Sequence, residues 1–260
     1  MSPALVILFL GVITGALGIR NGDLAKIEDH PYVVILELNN AIIKLCTGVI
    51  VSDRYIITKE VCAHVADSNG GLVRAGSNLR GHGGSEHSID KAIYPPGYPE
   101  VRRIALLRVN EPFQFDRSRQ PIELFESNEI IQAGTKGIVA GLGEDETGEA
   151  RRLHTVSFVT TTQEFCETTF KDSGFYEPGV MCAQNNQNKA KDVCSGDSGA
   201  PFVVGGRLAG IVMLTWYKCE GKEPALLSNV TDFSDWIYEQ VGHPPKPVKV
   251  GDEPSVILIR

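Results

Sequence analysis

The sequence predicts an all-β protein, a sandwich or a barrel, with few helices. Short apolar segments rich in β-branched residues recur along the chain. Connectors that contain Asn-Gly, Gly-Gly or proline separate them, and many short strands with regular turn signals are typical of both architectures. The clearest predicted strands are Tyr32–Leu38, Gly48–Ser52, Tyr55–Thr58, Ile104–Val109, Gly137–Ala140, His154–Thr161, Pro201–Val204 and Leu208–Leu214.

One stretch, Asp232–Val241, has the spacing of an amphipathic helix. Thr231 or Asp232 is its predicted cap, because both side chains accept a hydrogen bond from a backbone N–H. A shorter helical turn is predicted around Gln163–Thr169. The apolar residues that share one face of the longer helix are Phe233, Trp236, Ile237 and Val241.

The two ends of the chain differ in composition from the middle. Residues 1–18 contain an apolar run that is too short for a membrane span and ends in the small-x-small pattern Ala16-Leu17-Gly18. We predict a secretory signal peptide, with Ile19 as the mature N-terminus. Residues 243–260 form a proline-rich extension, which begins as an extended linker and ends in an apolar run. That run is an edge strand, a docking segment or a frayed end.

Composition limits the function classes. The chain has 260 residues and a net charge of −7, with 42% hydrophobic residues, enough to bury one large core or two smaller ones. Its charges are scattered, so neither nucleic acid nor an anionic membrane is an expected partner. We expect extracellular protein partners and a monomeric chain. No cofactor motif is present.

Six cysteines are present in a chain that we expect to be secreted. Their even number predicts three disulfides, although six cysteines allow fifteen pairings. No Cys-x-x-Cys or Cys/His cluster occurs, and a metal site is therefore not expected. The six are Cys46, Cys62, Cys166, Cys182, Cys194 and Cys219.

The motif around which the site predictions are built is Asp192–Pro201, which reads DVCSGDSGAP. Ser198 is preceded by Gly196-Asp197 and followed by Gly199, in a turn where the backbone can approach a substrate closely. Its hydroxyl is a candidate nucleophile, and the N–H groups of Gly196 and Ser198 are a candidate oxyanion hole.

This run resembles the nucleophile loop of the chymotrypsin/trypsin family of serine proteases, which use a Ser-His-Asp catalytic triad. The resemblance covers about residues 19–242. It implies two six-stranded antiparallel β-barrels, about 19–120 and 121–230, closed by a C-terminal helix. It also implies the disulfide pairs Cys46–Cys62, Cys166–Cys182 and Cys194–Cys219.

The other two positions of the catalytic triad are changed. The family carries its base in Thr-Ala-Ala-His-Cys, where this chain reads Thr58-Lys-Glu-Val-Cys62, so Val61 replaces the histidine. The family's acid begins an Asp-Ile-Ala-Leu-Leu strand, where this chain has Arg103. Valine takes up no proton, and arginine has no acceptor to orient an imidazole. We therefore expect ordinary triad catalysis to be absent.

Two other groups are candidate bases. His64 lies three residues beyond Val61, and we interpret it as a surface histidine in the loop after Cys62. Lys59 suggests a Ser–Lys variant, although the pair Lys59-Glu60 is more simply explained as a solvated or salt-bridged turn. The remaining histidines have no motif context and are expected at the surface.

The resemblance also assigns a specificity pocket and an N-terminal ion pair. Asp192 aligns with the acid that binds arginine or lysine side chains in trypsin-like members. The family's Ser-Trp-Gly wall strand is replaced by a run around Trp216 that is one residue longer and has no glycine, and Ala225 stands where the family usually has glycine, which predicts a narrowed pocket. The amino group of Ile19, freed by removal of the signal peptide, is expected to pair with Asp197.

These features predict a secreted, non-catalytic serine protease homologue. It is similar to the inactive homologues of arthropods, which act as cofactors or decoys in clotting, melanisation or complement-type cascades, or in venom and saliva. The alternatives are an active trypsin-like endopeptidase with an atypical general base, and a structural or carrier protein. Asn229-Val230-Thr231 is a possible glycosylation sequon.

Overall fold

The structure is a computed structural model, and it describes residues 19–39, 42–97, 103–143, 152–173, 176–185, 191–214, 219, 221 and 223–242. The predicted signal peptide and C-terminal extension lie outside these residues. The strands are β1 Asp23–Leu24, β2 Val33–Leu38, β3 Leu45–Ile50, β4 Tyr55–Lys59, β5 Gly71–Ala75, β6 Ser85–Ile93, β7 Ile104–Val109, β8 Glu123–Leu124, β9 Lys136–Gly141, β10 His154–Thr160, β11 Val180–Gln184, β12 Pro201–Val204, β13 Arg207–Leu214 and β14 Ala225–Asn229. The helices are α1 Glu60–Asn69, α2 Gln163–Phe170 and α3 Ser234–Val241.

Two antiparallel barrels of six strands each form the molecule. The first closes in the order β2-β3-β4-β7-β6-β5. The second closes in the order β9-β10-β11-β14-β13-β12, because β9 pairs with both β10 and β12. The strand β1 adds to the outside of β10, and β8 runs parallel to β13. The predicted fold, two six-stranded barrels with a C-terminal helix, is confirmed.

The N-terminal segment belongs with the second barrel, although the sequence boundaries placed it in the first. Asp23 and Leu24 pair with Thr155 and His154 of β10. The side chain of Ile19 is fully buried in the core of the second barrel, where Val139 and Phe158 are also buried. The described part of the chain therefore begins on the second barrel and crosses to the first before β2.

The helices differ from prediction in number and in their ends. α1 follows β4 directly and was not predicted, because the residues after Cys62 were interpreted as a loop. α2 lies where a helical turn was predicted. α3 begins at Ser234, and neither Thr231 nor Asp232 caps it; these two residues belong to a preceding 3₁₀ helix, Val230–Asp232.

An apolar cluster joins the two barrels beneath α3. Ile57 and Leu106 contribute from the first barrel, and Ile211 contributes from the second. Phe233 and Ile237 of the C-terminal segment pack into the same cluster. Burial of these side chains ties the barrels and the helix into one body, since each buried apolar side chain contributes about 1.5–3 kcal/mol.

Three disulfides are present, and they are the pairs that the resemblance implies. They join Cys46 to Cys62, Cys166 to Cys182, and Cys194 to Cys219. The first fastens β3 to α1, and the third fastens the loop before Ser198 to the segment after β13. Within the described part of the chain no helix is long and apolar enough to cross a membrane, and no three His, Cys, Asp or Glu side chains cluster as metal ligands.

Candidate functional site

Ser198 lines a cleft of about 290 Å³ at the point where the loop before β12 meets the start of α1. The other described residues that line this cleft are Ile42, Ile43, Lys44, Leu45, Cys46, Lys59, Val61, Cys62, Arg80, Ser195 and Gly196. The structure thus brings the predicted nucleophile and the residue at the predicted base position into the same cleft. We call it the Ser198 cleft.

Contacts to the first barrel hold the Ser198 loop in place. The Thr47 N–H donates a hydrogen bond of 2.9 Å to the Ser198 carbonyl oxygen. The Thr47 hydroxyl donates one of 3.0 Å to the Gly196 carbonyl oxygen. Gly199 has a φ of +88°, and a side chain there would overlap the Thr47 carbonyl and the Thr58 hydroxyl. Only glycine fits this turn.

Asp197 supports the same loop from below. Its side chain is fully buried, and its carboxylate accepts hydrogen bonds of 2.7 Å from the Gly143 N–H and 2.8 Å from the Cys194 N–H. Side chains at Gly141 or Gly143 would overlap this carboxylate. Ile19 is buried in the neighbouring core, and the pairing of its amino group with Asp197 stays a prediction.

The candidate oxyanion hole has its donors available. Among the residues that the structure describes, neither the Gly196 N–H nor the Ser198 N–H donates a hydrogen bond. The Ser198 hydroxyl, which is half-buried, likewise has no hydrogen-bond partner within the described chain. A nucleophilic serine needs a base within about 3 Å, and among the described residues no side chain forms a hydrogen bond with the Ser198 hydroxyl.

Val61 lies in the first turn of α1, next to the Cys46–Cys62 disulfide. Its side chain is half-buried, packs against the core of the first barrel and also lines the Ser198 cleft. An isopropyl group offers no lone pair to a serine hydroxyl. The position predicted to hold a replaced histidine therefore contributes only apolar surface to the cleft.

Arg103 points away from the cleft and into the junction between the barrels. Its Nη1 donates a hydrogen bond of 2.7 Å to Asp232 Oδ2, and its Nε lies 3.7 Å from Glu177 Oε1. The guanidinium carbon lies 4.5 Å from the centre of the Phe233 ring. Gly179 leaves room for this group, since a side chain there would overlap it. Arg103 therefore holds the start of the C-terminal helical segment.

The described histidines lie outside the cleft lining. His64 is exposed on α1, so the prediction of a loop position was wrong and that of a surface position was right. His87 and His154 are buried, in contrast to the expected exposure. His87 contacts the Ser85 hydroxyl and the Glu111 carbonyl, and His154 contacts the Arg152 carbonyl. His30 and His82 are not buried, and His243 lies outside the described residues.

Lys59 lies in the same cleft as Ser198, a position that its interpretation as part of a turn did not predict. It precedes α1 and lines the Ser198 cleft. Burial lowers the pKa of its ammonium group, while the neighbouring Glu60 carboxylate raises that pKa. Of the two explanations, a solvated or a salt-bridged turn, the first is wrong for Lys59, which is half-buried, and among the described contacts no salt bridge joins Lys59 to Glu60.

Asp192 is a buried carboxylate, only 3% exposed. It accepts hydrogen bonds of 2.8 Å from the Val193 N–H and 3.0 Å from the Gly221 N–H. Burial raises its pKa from 3.8 to about 6, because the effect of desolvation is larger than the lowering of the pKa by the two hydrogen bonds and by the nearby Arg20. Because the folded-state pKa is the higher one, ionisation of Asp192 destabilises the fold increasingly as pH rises from about 4 to above 6.

The rest of the predicted specificity pocket is described only in part. Ala225 is buried at the start of β14, opposite Ala183. Trp216 lies outside the described residues. Asn229 of the possible sequon is half-buried, and its side-chain oxygen accepts a hydrogen bond from the Thr231 N–H. Glycosylation of Asn229 stays a prediction.

The family model described as "Trypsin" matches residues 19–237, which is most of the chain. The chain belongs to the trypsin family. A trypsin of Phaedon cochleariae is 27% identical over 231 residues, covering 86% of this chain and 88% of the beetle protein. A trypsin of Simulium vittatum is 30% identical over 202 residues, covering 75% of this chain and 81% of that one.

Two solved structures of trypsin-like fold are similar to this trypsin-family chain. A scabies mite inactivated protease paralogue, S-D1, aligns with a TM-score of 0.75 at 20% identity, covering 87% of this chain and 99% of its own. The structure titled HL collagenase aligns with a TM-score of 0.75 at 24% identity, covering 86% and 99%. At these identities the structures establish the fold alone.

Sequence reasoning missed several residues of the Ser198 cleft. Lys44 and Arg80 come from loops after β2 and β5, and Ile42 and Ile43 precede β3. No motif marks these positions, because closure of the first barrel brings them to the cleft. The only local signal was the turn pair Asn39-Asn40 after the predicted strand Tyr32–Leu38, which indicates a connection but not what it contacts.

Proposed function

We propose that this chain is a secreted, non-catalytic member of the trypsin family that acts by binding an extracellular protein, as a cofactor or decoy in a protease cascade. One observation carries the proposal. The described residues that line the Ser198 cleft include no histidine, aspartate or glutamate. Ser198 therefore has its loop and its oxyanion donors, but no carboxylate or imidazole to remove its proton.

The size of the expected loss of catalytic rate decides between a weak enzyme and a binding protein. Removal of one key triad member costs nearly as much rate as removal of all three, since the members act as a unit. The remaining oxyanion hole and binding groups accelerate hydrolysis roughly 10³–10⁴-fold over the uncatalysed reaction in water. Activity at that level has no use in a cascade, whereas an intact loop and barrel surface still serve for binding.

The compartment and the fold support the same proposal. Three disulfides in a chain of this length are typical of an oxidising, extracellular environment. The scabies mite structure shares the fold and is described as an inactivated protease paralogue. That description belongs to the mite protein and provides a precedent for this fold without proteolysis.

One observation favours a second candidate function, an endopeptidase with an atypical base. Lys59 lines the same cleft as Ser198, and burial lowers the pKa of Lys59. A desolvated lysine is a general base in some serine hydrolases. Against this, no hydrogen bond joins the two side chains among the described contacts.

Active-site labelling separates the two candidates. The full chain, produced in an oxidising secretory host, is treated with a fluorophosphonate probe beside trypsin, and turnover is measured with peptides carrying Arg, Lys, Leu or Phe at the cleavage position. We expect neither labelling nor turnover. Stoichiometric labelling that disappears in both Ser198→Ala and Lys59→Met would establish the lysine-assisted enzyme instead.

A further inference from the structure

We infer that the Ser198 cleft binds an acidic segment of a protein partner, with one carboxylate held by the N–H groups of Gly196 and Ser198. The inference rests on the proposed function, since a protease keeps these donors free for the oxygen of a scissile carbonyl. In a chain without turnover, the same two donors suit a ligand that stays bound.

The charged residues that line the cleft are all cationic in the part of the chain that the structure describes. Lys44, Lys59 and Arg80 line it, and among its described lining residues no carboxylate is present. The whole chain carries a net charge of −7. A cationic cleft in an acidic protein is a local reversal of charge, and it favours an anionic partner both in encounter and in the bound state.

Backbone donors point to a carboxylate within this cationic site. Neither the Gly196 N–H nor the Ser198 N–H has an acceptor in the described chain, and the Ser198 hydroxyl has no partner there. α1, ten residues long, begins beside them, with no side chain capping its first turn. A helix start carries a partial positive charge and unpaired N–H groups. Three donor types therefore meet where an anion fits.

The acids that the structure describes near the cleft form no salt bridge with its three lining cations. Glu37, which lies near Arg80, already accepts hydrogen bonds from Arg74 at 3.1 Å and from the Gly81 N–H at 2.8 Å. Glu60 interacts with Lys59 from the first turn of α1 but does not line the cleft. The lining cations remain available to a ligand, and an anionic ligand further favours the protonated form of Lys59.

The shape favours a peptide over a sulfated polysaccharide. The volume of about 290 Å³ is near the lower limit of ligand pockets, roughly 300 Å³, and accommodates one or two side chains rather than a polymer. Lys59 and Arg80 are half-buried in the concave surface, not spread along an open track. Ile42, 91% exposed, and Ile43 border the cleft and offer apolar surface to neighbouring peptide residues.

The test compares two fluorescent peptides by polarisation, with the full disulfide-bonded chain. In one, aspartate and glutamate alternate with leucine; in the other, asparagine and glutamine replace the acids. We expect the acidic peptide to bind at least tenfold more tightly. Lys59→Met and Arg80→Gln should each weaken it roughly tenfold, the value of one charge-assisted hydrogen bond. Lys136→Met, which removes an exposed lysine that lines a separate cavity, is the matched control.

Three outcomes overturn the inference: equal binding of the two peptides, equal losses in Lys59→Met and Lys136→Met, or binding of heparin but of neither peptide. Fluorophosphonate labelling of the same preparation tests the proposed function separately. A labelled serine refutes the proposed function, whatever the peptides do. An unlabelled serine with no preference for the acidic peptide refutes only the inference about the ligand.

Discussion

Replacing Arg103 by methionine removes a guanidinium group from the junction of the two barrels while keeping most of the alkyl chain. Arg103 is only 7% exposed. It contacts Asp232 at 2.7 Å, Glu177 at 3.7 Å and the Phe233 ring at 4.5 Å. The substitution leaves the two carboxylates close together without a cation, and it removes the contact with the ring.

The expected loss of stability is about 3 kcal/mol. A hydrogen bond to a charged group contributes about 1.5–3 kcal/mol, and a cation–π contact about 0.5–1 kcal/mol. The side chains of Asp232 and Glu177 are 32% and 31% exposed, so the larger penalty of a fully buried pair does not apply. For a chain of this size, a loss of that magnitude lowers Tm by roughly 6–12 °C.

Thermal and urea unfolding followed by circular dichroism measure this effect. Arg108→Met is the matched control, because Arg108 lies on β7 and pairs with Asp90 at 3.1 Å with both side chains more than a third exposed. We expect the control to lose about 0.2–1 kcal/mol. Equal losses in the two variants, or a loss below about 1 kcal/mol for Arg103→Met, would refute the assignment of Arg103 as an anchor of the C-terminal segment.

Two further stability changes follow from the loop around Ser198. Asp192→Asn should stabilise the protein more at pH 7.5 than at pH 4, by about 2–3 kcal/mol, because the raised pKa of Asp192 makes its ionised form costly only at the higher pH. Urea titrations of the parent and the variant at both pH values measure this difference, and a difference that does not change with pH would contradict the prediction. Gly143→Ala should cost more than about 2 kcal/mol, since its side chain would overlap the Asp197 carboxylate. Gly205→Ala meets no neighbour and should cost only about 1 kcal/mol of backbone strain.

Much of the fold could be predicted because several core strands are recognisable from their own apolar sequence. Tyr55–Thr58 and Ile104–Val109 are short β-branched runs, and both lie within observed strands. β6 was harder to find, because Ser85–Ile93 exposes most of its polar residues and buries only His87 fully. A strand of that kind is specified by its neighbours β5 and β7, which supply its hydrogen bonds, and not by its own periodicity.

The candidate site divides in the same way. The Ser198 loop could be found from sequence because a glycine-rich turn is local, and both Gly196 and Gly199 have a positive φ that favours glycine. The cleft around it could not, since Lys44, Arg80 and Ser198 are distant in sequence and meet only when the barrels form. The same holds for the contact between Arg103 and Asp232, 129 residues apart. Long-range pairing leaves no spacing to detect.

The setting of Arg103 also constrains how this chain can change. An aspartate at position 103 is what the family resemblance requires for catalysis, yet here it would face Asp232 and Glu177, whose carboxylates both contact Arg103. Three acids in a half-buried site repel one another. Replacing Arg103 by aspartate would therefore destabilise the C-terminal segment. A change of position 103 to aspartate is tolerated only after Asp232 or Glu177 has changed, so the two ion pairs of Arg103 restrict the order in which these positions can be substituted.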